Sequence, residues 1–121
     1  MIPAIKNMKN AFDLTGKNVV ITGGNRGLGL GIAEAMAQSG ANVAILCRDS
    51  AKAQEALETL RAYGGNHMAF NCNITNLTSV NETAKQVAEQ FGGVDILVNN
   101  AGVSCVNELL DMDEQLTDWY N

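Results

Sequence analysis

The sequence predicts an α/β fold built on a parallel sheet, and three observations carry that expectation. Short apolar runs alternate with longer stretches whose apolar residues recur every three or four positions. Single glycines or Gly-Gly pairs stand where those longer stretches end. No shift in composition, repeat or low-complexity segment interrupts the alternation. Apolar strands joined by helices imply right-handed crossovers. Strands that are apolar nearly throughout belong to a sheet covered on both faces.

The first strand is expected at about Asn18–Thr22, where Val19, Val20 and Ile21 run together. A helix from about Arg26 to Ser39 follows, with Leu30, Ile32, Ala33, Met36 and Ala37 as its stripe and Gly40 as its end. The second strand is expected at about Asn42–Cys47, with β-branched Val43 and Ile45. The second helix, about Ser50 to Tyr63, should bury Ala53, Ala56, Leu57 and Leu60 and stop at Gly64-Gly65. The third strand is placed at about His67–Cys72. The third helix is placed from Thr78 or Ser79, where Ser79 and Glu82 have the spacing of a capping box. Its stripe is Val80, Ala84, Val87, Ala88 and Phe91, and Gly92-Gly93 ends it. The fourth strand is Val94–Asn99, carrying Ile96, Leu97 and Val98. Residues 1–11 read as a short N-terminal surface extension. The acidic stretch Glu108–Asn121, with Leu109, Leu110, Met112, Leu116 and Trp119, suits the opening of a further helix.

A length of 121 residues suits one domain with a real core. Thirteen acidic residues against eight basic ones give a net charge of −5, and no basic stripe appears, which argues against a nucleic-acid partner. The longest apolar stretches fall far short of a membrane span. Residues 1–11 lack the unbroken apolar region of a signal peptide. The expectation is therefore a cytoplasmic protein with no membrane partner. Cys47, Cys72 and Cys105 are odd in number and widely spaced, fitting neither a disulfide framework nor a metal site. Cys47 and Cys72 read as small hydrophobes at the ends of apolar runs, in keeping with a reducing compartment. No metal is expected.

Residues 22–29 read Thr-Gly-Gly-Asn-Arg-Gly-Leu-Gly, between the first strand and the first helix. A turn in that context aims backbone N–H groups and a helix N-terminus at a pyrophosphate, so the chain is expected to bind a dinucleotide. Gly23 makes the tight turn, Gly27 lets the backbone approach the diphosphate, and Gly29 permits close helix–sheet packing. Asn25, Arg26 and Leu28 complete the candidate phosphate loop. The competing reading is a glycine-rich turn that merely packs the first helix. The Thr-Gly-x-x-x-Gly-x-Gly spacing, together with Asn99-Asn100-Ala101-Gly102 after the fourth strand, resembles the short-chain dehydrogenase/reductase family. The likeness runs from Leu14-Thr15-Gly16-Lys17 through Val94-Asp95-Ile96-Leu97-Val98 to Gly102, most of the chain. It implies a Rossmann-type doubly wound parallel sheet, here incomplete, in strand order 3-2-1-4 with the fourth strand an open edge. It also implies that residues 12–121 are the N-terminal part of a single NAD(P)-binding domain. By the same resemblance Asn99, Ala101 and Gly102 belong to the cofactor site, along the adenine ribose. Sheet-end hydrogen bonding alone is the other reading of Asn99 and Asn100.

The end of the second strand bears on cofactor choice. A site for NAD usually has an acidic residue there for the ribose hydroxyls, and this chain has Cys47-Arg48. A guanidinium brackets a 2′-phosphate with bidentate hydrogen bonds, and Arg26 can join from the glycine turn. Family members that prefer NADP are similar in this respect, so NADP is expected, with NAD as the alternative. Asp49 is the counter-argument, because a shift of register makes it the ribose carboxylate; its other reading is a cap on the second helix. Arg48 also reads as a solvated surface arginine. After the third strand the family commonly has an acidic residue and then an apolar one at the adenine edge. This chain has Asn73-Ile74, with an amide that both donates and accepts. An Asx-turn is the equal alternative for Asn73. His67, at the start of its strand, is read as structural or solvated. Ser104 and Cys105 are possible pocket residues without a visible base.

The family resemblance implies hydride transfer between the nicotinamide and a carbonyl or secondary alcohol, with proton transfer by a Tyr-x-x-x-Lys pair. Neither Tyr63 nor Tyr120 has that context, since residue 67 is His and the sequence ends one residue past Tyr120. No catalytic residue is assigned. The expectation is the cofactor half of an NADP-preferring oxidoreductase, whose parent is implied to be a dimer or tetramer acting on a small alcohol or ketone. The runner-up is a non-enzymatic dinucleotide-binding module or a truncated, inactive fragment.

Overall fold

The computed structural model describes residues 11–101. Residues 1–10, Gly102, Ser104, Cys105 and the acidic stretch 108–121 lie outside the described residues. Strand β1 is Asn18–Thr22, helix α1 is Gly27–Gln38, β2 is Asn42–Cys47 and α2 is Ser50–Arg61. Strand β3 is Met68–Asn71, α3 is Leu77–Gln86 running on as a π-helical turn over Val87–Phe91, and β4 is Ile96–Asn99. All pairings are parallel, in the order β3-β2-β1-β4, as expected for a doubly wound sheet.

Period-two alternation sends the strand side chains to two faces. Val19, Ile21, Val43, Ile45 and Cys47 face α1 and α2, where Ala33, Ala37, Ala53, Ala56 and Leu60 meet them. Alanines on α1 let that helix lie close to the sheet. Val20, Ala44 and Phe70 face the other way, under Val87 and Phe91. Among the described residues that second face is covered only in part. Val80, Ala84 and Ala88 point not into the core but into an open apolar groove of about 500 Å³, which Leu97 and Val94 border from the β4 side. Leu97 is more than half exposed on the sheet's edge strand.

Polar side chains fasten the N-terminal edge of the sheet strand by strand. Asn42 Oδ1 accepts from Asn66 N at 2.9 Å, and Asn42 Nδ2 donates to Asn18 Oδ1 at 3.1 Å. Asn18 Nδ2 donates to Phe91 O, and Asn18 N donates to Asp95 Oδ2 at 2.8 Å. His67 is buried and structural: its Nδ1 accepts from Val43 N at 3.1 Å, so Nε2 carries the proton and donates to Gly64 O. This ladder gives the edge away from the strand C-termini its own partners.

The helices α1 and α2 are one or two residues shorter than expected at their ends, and larger differences fall at α3, β3 and β4. The capping box is not formed: α3 starts at Leu77, and Asn76 Oδ1 caps it by accepting from Ser79 N at 3.0 Å. Ser79 is instead inside the first turn, its hydroxyl accepting from Asn73 N at 2.9 Å. Strands β3 and β4 are shorter than expected, because His67, Val94 and Asp95 serve the edge ladder or the approach to it.

Candidate functional site

Parallel pairing brings the ends of all four strands to one edge, in spatial order Asn73 after β3, Arg48 after β2, Gly23 after β1 and Asn99 within the end of β4. The site is therefore built from the C-terminal edge of the sheet, where the crossover from β1 goes to one side and that to β4 to the other.

The glycine turn has a distinct job for each residue. Gly23 adopts φ +68° and its N–H donates to Leu46 O at 2.8 Å, turning the chain sharply off β1. Gly27 adopts φ +55° at the start of α1, and among the described residues nothing beyond its own stretch of chain comes within 4 Å of where a Cβ would stand. Both conformations favour glycine. Gly29 is a matter of space: a Cβ there would overlap Gly23 O and press on Asn100 Nδ2. Arg26 is the extended N-cap residue of α1, and no side chain caps that helix among the described residues. By contrast Asp49 caps α2 and Asn76 caps α3. The first-turn N–H groups of α1 therefore have no side-chain acceptor among the described residues, and no acidic residue lies in that turn. Asn25 is half-buried, and Leu28 stands out into solvent three-quarters exposed.

Thr22 organises the β1–β4 junction, a role the sequence analysis missed. Its Oγ1 accepts from Asn100 N and from Ala101 N, each at 3.0 Å, and donates to Val98 O at 3.4 Å. Asn100 Nδ2 then donates to Gly23 O at 3.2 Å, fastening the segment after β4 to the glycine turn. The sheet-end hydrogen bonding falls to Asn100. The side chain of Asn99, exposed, makes none of these bonds. The available signal was a threonine closing an otherwise apolar strand just ahead of the glycines.

Asp49 and Arg48 separate clearly. Asp49 Oδ1 accepts from Lys52 N at 3.0 Å, making Asp49 the N-cap of α2. Arg48 is exposed at the β2 end, and neither it nor Arg26 enters an ion pair among the described residues. Cys47 is buried and donates to Asp49 O; burial pushes its thiol up from the ordinary range, with the nearby Asp49 charge adding to that effect. It is a core residue, not a nucleophile. Asn73 forms an Asx-turn, its Oδ1 accepting from Thr75 N at 3.1 Å and Thr75 Oγ1 at 2.7 Å, with half-exposed Ile74 beside it. Among the described residues no three His, Cys, Asp or Glu side chains gather as a metal site, and no helix is long and apolar enough to cross a membrane.

A parallel sheet in this order, with a left-handed glycine turn feeding an uncapped helix at the crossover point, defines a Rossmann-type chain. Residues 17–120 match the short chain dehydrogenase family. A 3-oxoacyl-[acyl-carrier-protein] reductase of Staphylococcus epidermidis is 41% identical over 100 residues, covering 82% of this chain and 41% of the relative. A short-chain type dehydrogenase/reductase from Mycobacterium marinum superposes with a TM-score of 0.82 at 34% identity, over 91% of this chain and 44% of that one. L-sorbose reductase from Gluconobacter frateurii, solved with NADPH and L-sorbose, superposes with a TM-score of 0.80 at 31% identity, over 90% and 42% of the two chains. The chain belongs to the short-chain dehydrogenase/reductase family. It spans about two fifths of the length of the curated relatives it matches.

Proposed function

We propose that this chain is the cofactor-binding half of an NADP-preferring oxidoreductase, which transfers a hydride between the nicotinamide and a carbonyl or secondary alcohol. The observation that carries the reading is the α1 N-terminus, uncapped behind Gly23 and Gly27, with free space over Gly27 where a phosphate group would approach. Backbone N–H groups and the helix dipole there favour an anion. The cofactor, when bound, supplies the redox chemistry. This chain's residues bind and orient: residues 23–29 take the diphosphate, and Arg48 with Arg26 takes the 2′-phosphate. Asn73 and Ile74 take the base, and Asn99, Ala101 and Gly102 take the adjoining ribose.

NADP is favoured over NAD because Asp49 Oδ1 is turned to the α2 N-terminus as its cap, while Arg48 enters no ion pair among the described residues. A guanidinium recognises a phosphate through paired charge-assisted bonds and has nothing comparable to offer a ribose diol. Among similar structures, L-sorbose reductase was solved with NADPH and a xylitol dehydrogenase with NAD+, so the choice rests on Arg48 and Asp49. We take the protein as cytoplasmic, with cysteines read as reduced, and its whole protein as a homo-oligomer acting on a small alcohol or ketone. The test is a titration of the purified chain with NADPH and NADH side by side. NADPH should bind tighter, and Arg48→Ala should weaken NADPH by roughly tenfold or more, the worth of one lost charge-assisted pair, while leaving NADH unchanged. Tighter NADH binding, or equal losses for both dinucleotides, contradicts the reading.

A further inference from the structure

On the reading of this strand edge as a dinucleotide site, we propose that Asn73 offers the base a hydrogen-bond donor alone, so that the site accepts a 6-oxopurine dinucleotide about as well as the adenine one. The orientation of the amide is set by the backbone. A main-chain N–H only donates, so the Asn73 atom facing Thr75 N at 3.1 Å has to be Oδ1. The Thr75 hydroxyl donates to the same oxygen at 2.7 Å. A carbonyl oxygen has two lone pairs, and both are thus in use. Nδ2 remains, with two N–H donors that no described residue accepts from, on a half-buried side chain. Rotating the amide to present its oxygen would set Nδ2 against Thr75 N, which only donates. The backbone that carries this amide is itself held, because Asn73 N donates to Ser79 Oγ and Asn76 caps the same turn of α3.

The consequence follows from what each base displays. An acidic residue in this place keeps an acceptor oxygen free even after serving Thr75, and an acceptor selects a base with a donor, the 6-amino group of adenine. A donor-only amide finds acceptors on either base: ring nitrogens on adenine, the 6-oxo group and N7 on hypoxanthine. Ile74, half-exposed next to it, contributes apolar surface that does not depend on the substituent.

The experiment titrates the 121-residue chain with NADPH and with its hypoxanthine counterpart, which carries the same reduced nicotinamide as fluorophore. The parent chain is compared with Asn73→Asp, whose carboxylate keeps the bonds to Thr75 and so preserves the turn; thermal melting checks this. The added charge acts equally on both dinucleotides, so the ratio of their dissociation constants isolates the base. The parent should bind the two within about threefold, and Asn73→Asp should prefer adenine by roughly tenfold, one mismatched polar contact. A parent chain that already prefers adenine tenfold, or a ratio that Asn73→Asp leaves unchanged, overturns the proposal while the dinucleotide site stands. Failure of both dinucleotides to bind the parent removes that site and the proposal with it.

Discussion

Replacing Thr22 by valine keeps the shape of the side chain and removes one oxygen. That oxygen accepts from Asn100 N and Ala101 N, each at 3.0 Å, in a residue only 8% exposed. Valine leaves two main-chain N–H groups without their acceptor, and an orphaned buried donor costs about 1–3 kcal/mol. Asn100 and Ala101 are themselves half-buried, so water recovers part of the loss. The lower half of the range, about 1–2 kcal/mol, applies to each, giving about 2–4 kcal/mol for the pair. Urea unfolding is the assay. With a slope of about 1–3 kcal/mol per molar for a small protein, the midpoint should fall by about 0.7 M or more at unchanged slope. Asn100 Nδ2 still reaches Gly23 O, so the glycine turn survives and the loss is local to the β1–β4 junction. A midpoint within about 0.2 M of the parent would refute the reasoning, since it would mean that the Thr22 hydroxyl does not hold β4's exit.

Two glycines of α1 should respond in opposite directions. Gly29→Ala, whose Cβ overlaps Gly23 O, should cost about 1–3 kcal/mol as an overpacked contact. Gly31→Ala, with open space around it, should stabilise by about 0.5–1 kcal/mol through helix propensity; thermal melting reads both, and like-signed shifts count against the packing account. Burial raises the Cys47 thiol, so the folded chain holds that proton to higher pH than the unfolded one. Its contribution is complete below the ordinary thiol range and is lost as pH rises through that range to the folded value. Stability measured against alkaline pH should therefore fall less steeply in Cys47→Ala, and an unaltered slope would contradict the assignment.

The elements were legible because each leaves a local signature. Val19, Val20 and Ile21 form a run, Ala53, Ala56, Leu57 and Leu60 share a helical face, and residues 22–29 keep their glycine spacing whatever surrounds them. The hydrogen bonds that join strands leave no such mark. Asn42 meets Asn18 and Asn66 across 24 positions in each direction, and Asn18 meets Phe91 across 73, so register has to exist before the ladder can be seen. Ser79 shows the same limit at short range. Its spacing to Glu82 suggests a cap, yet Asn76 is equally able to cap, and the demand of Asn73 N for an acceptor decides between them. At the site, the separate duties of Asp49 and Arg48 were open in the sequence, and Asp49's bond to Lys52 N distinguishes them.

The central claim, that the glycine turn and the α1 N-terminus form an anion site for a dinucleotide, is tested most directly at Gly27. The measurement is a calorimetric titration of the parent chain and of Gly27→Asp with NADPH, with circular dichroism as the check on folding. Aspartate tolerates a left-handed φ better than most residues and suits the first turn of a helix, so the fold should persist. Its carboxylate would enter the open space over Gly27 and repel a phosphate there. The account predicts that the parent binds and that the folded variant loses at least roughly thirtyfold in affinity, about 2 kcal/mol. A folded Gly27→Asp chain that binds NADPH as tightly as the parent would contradict it.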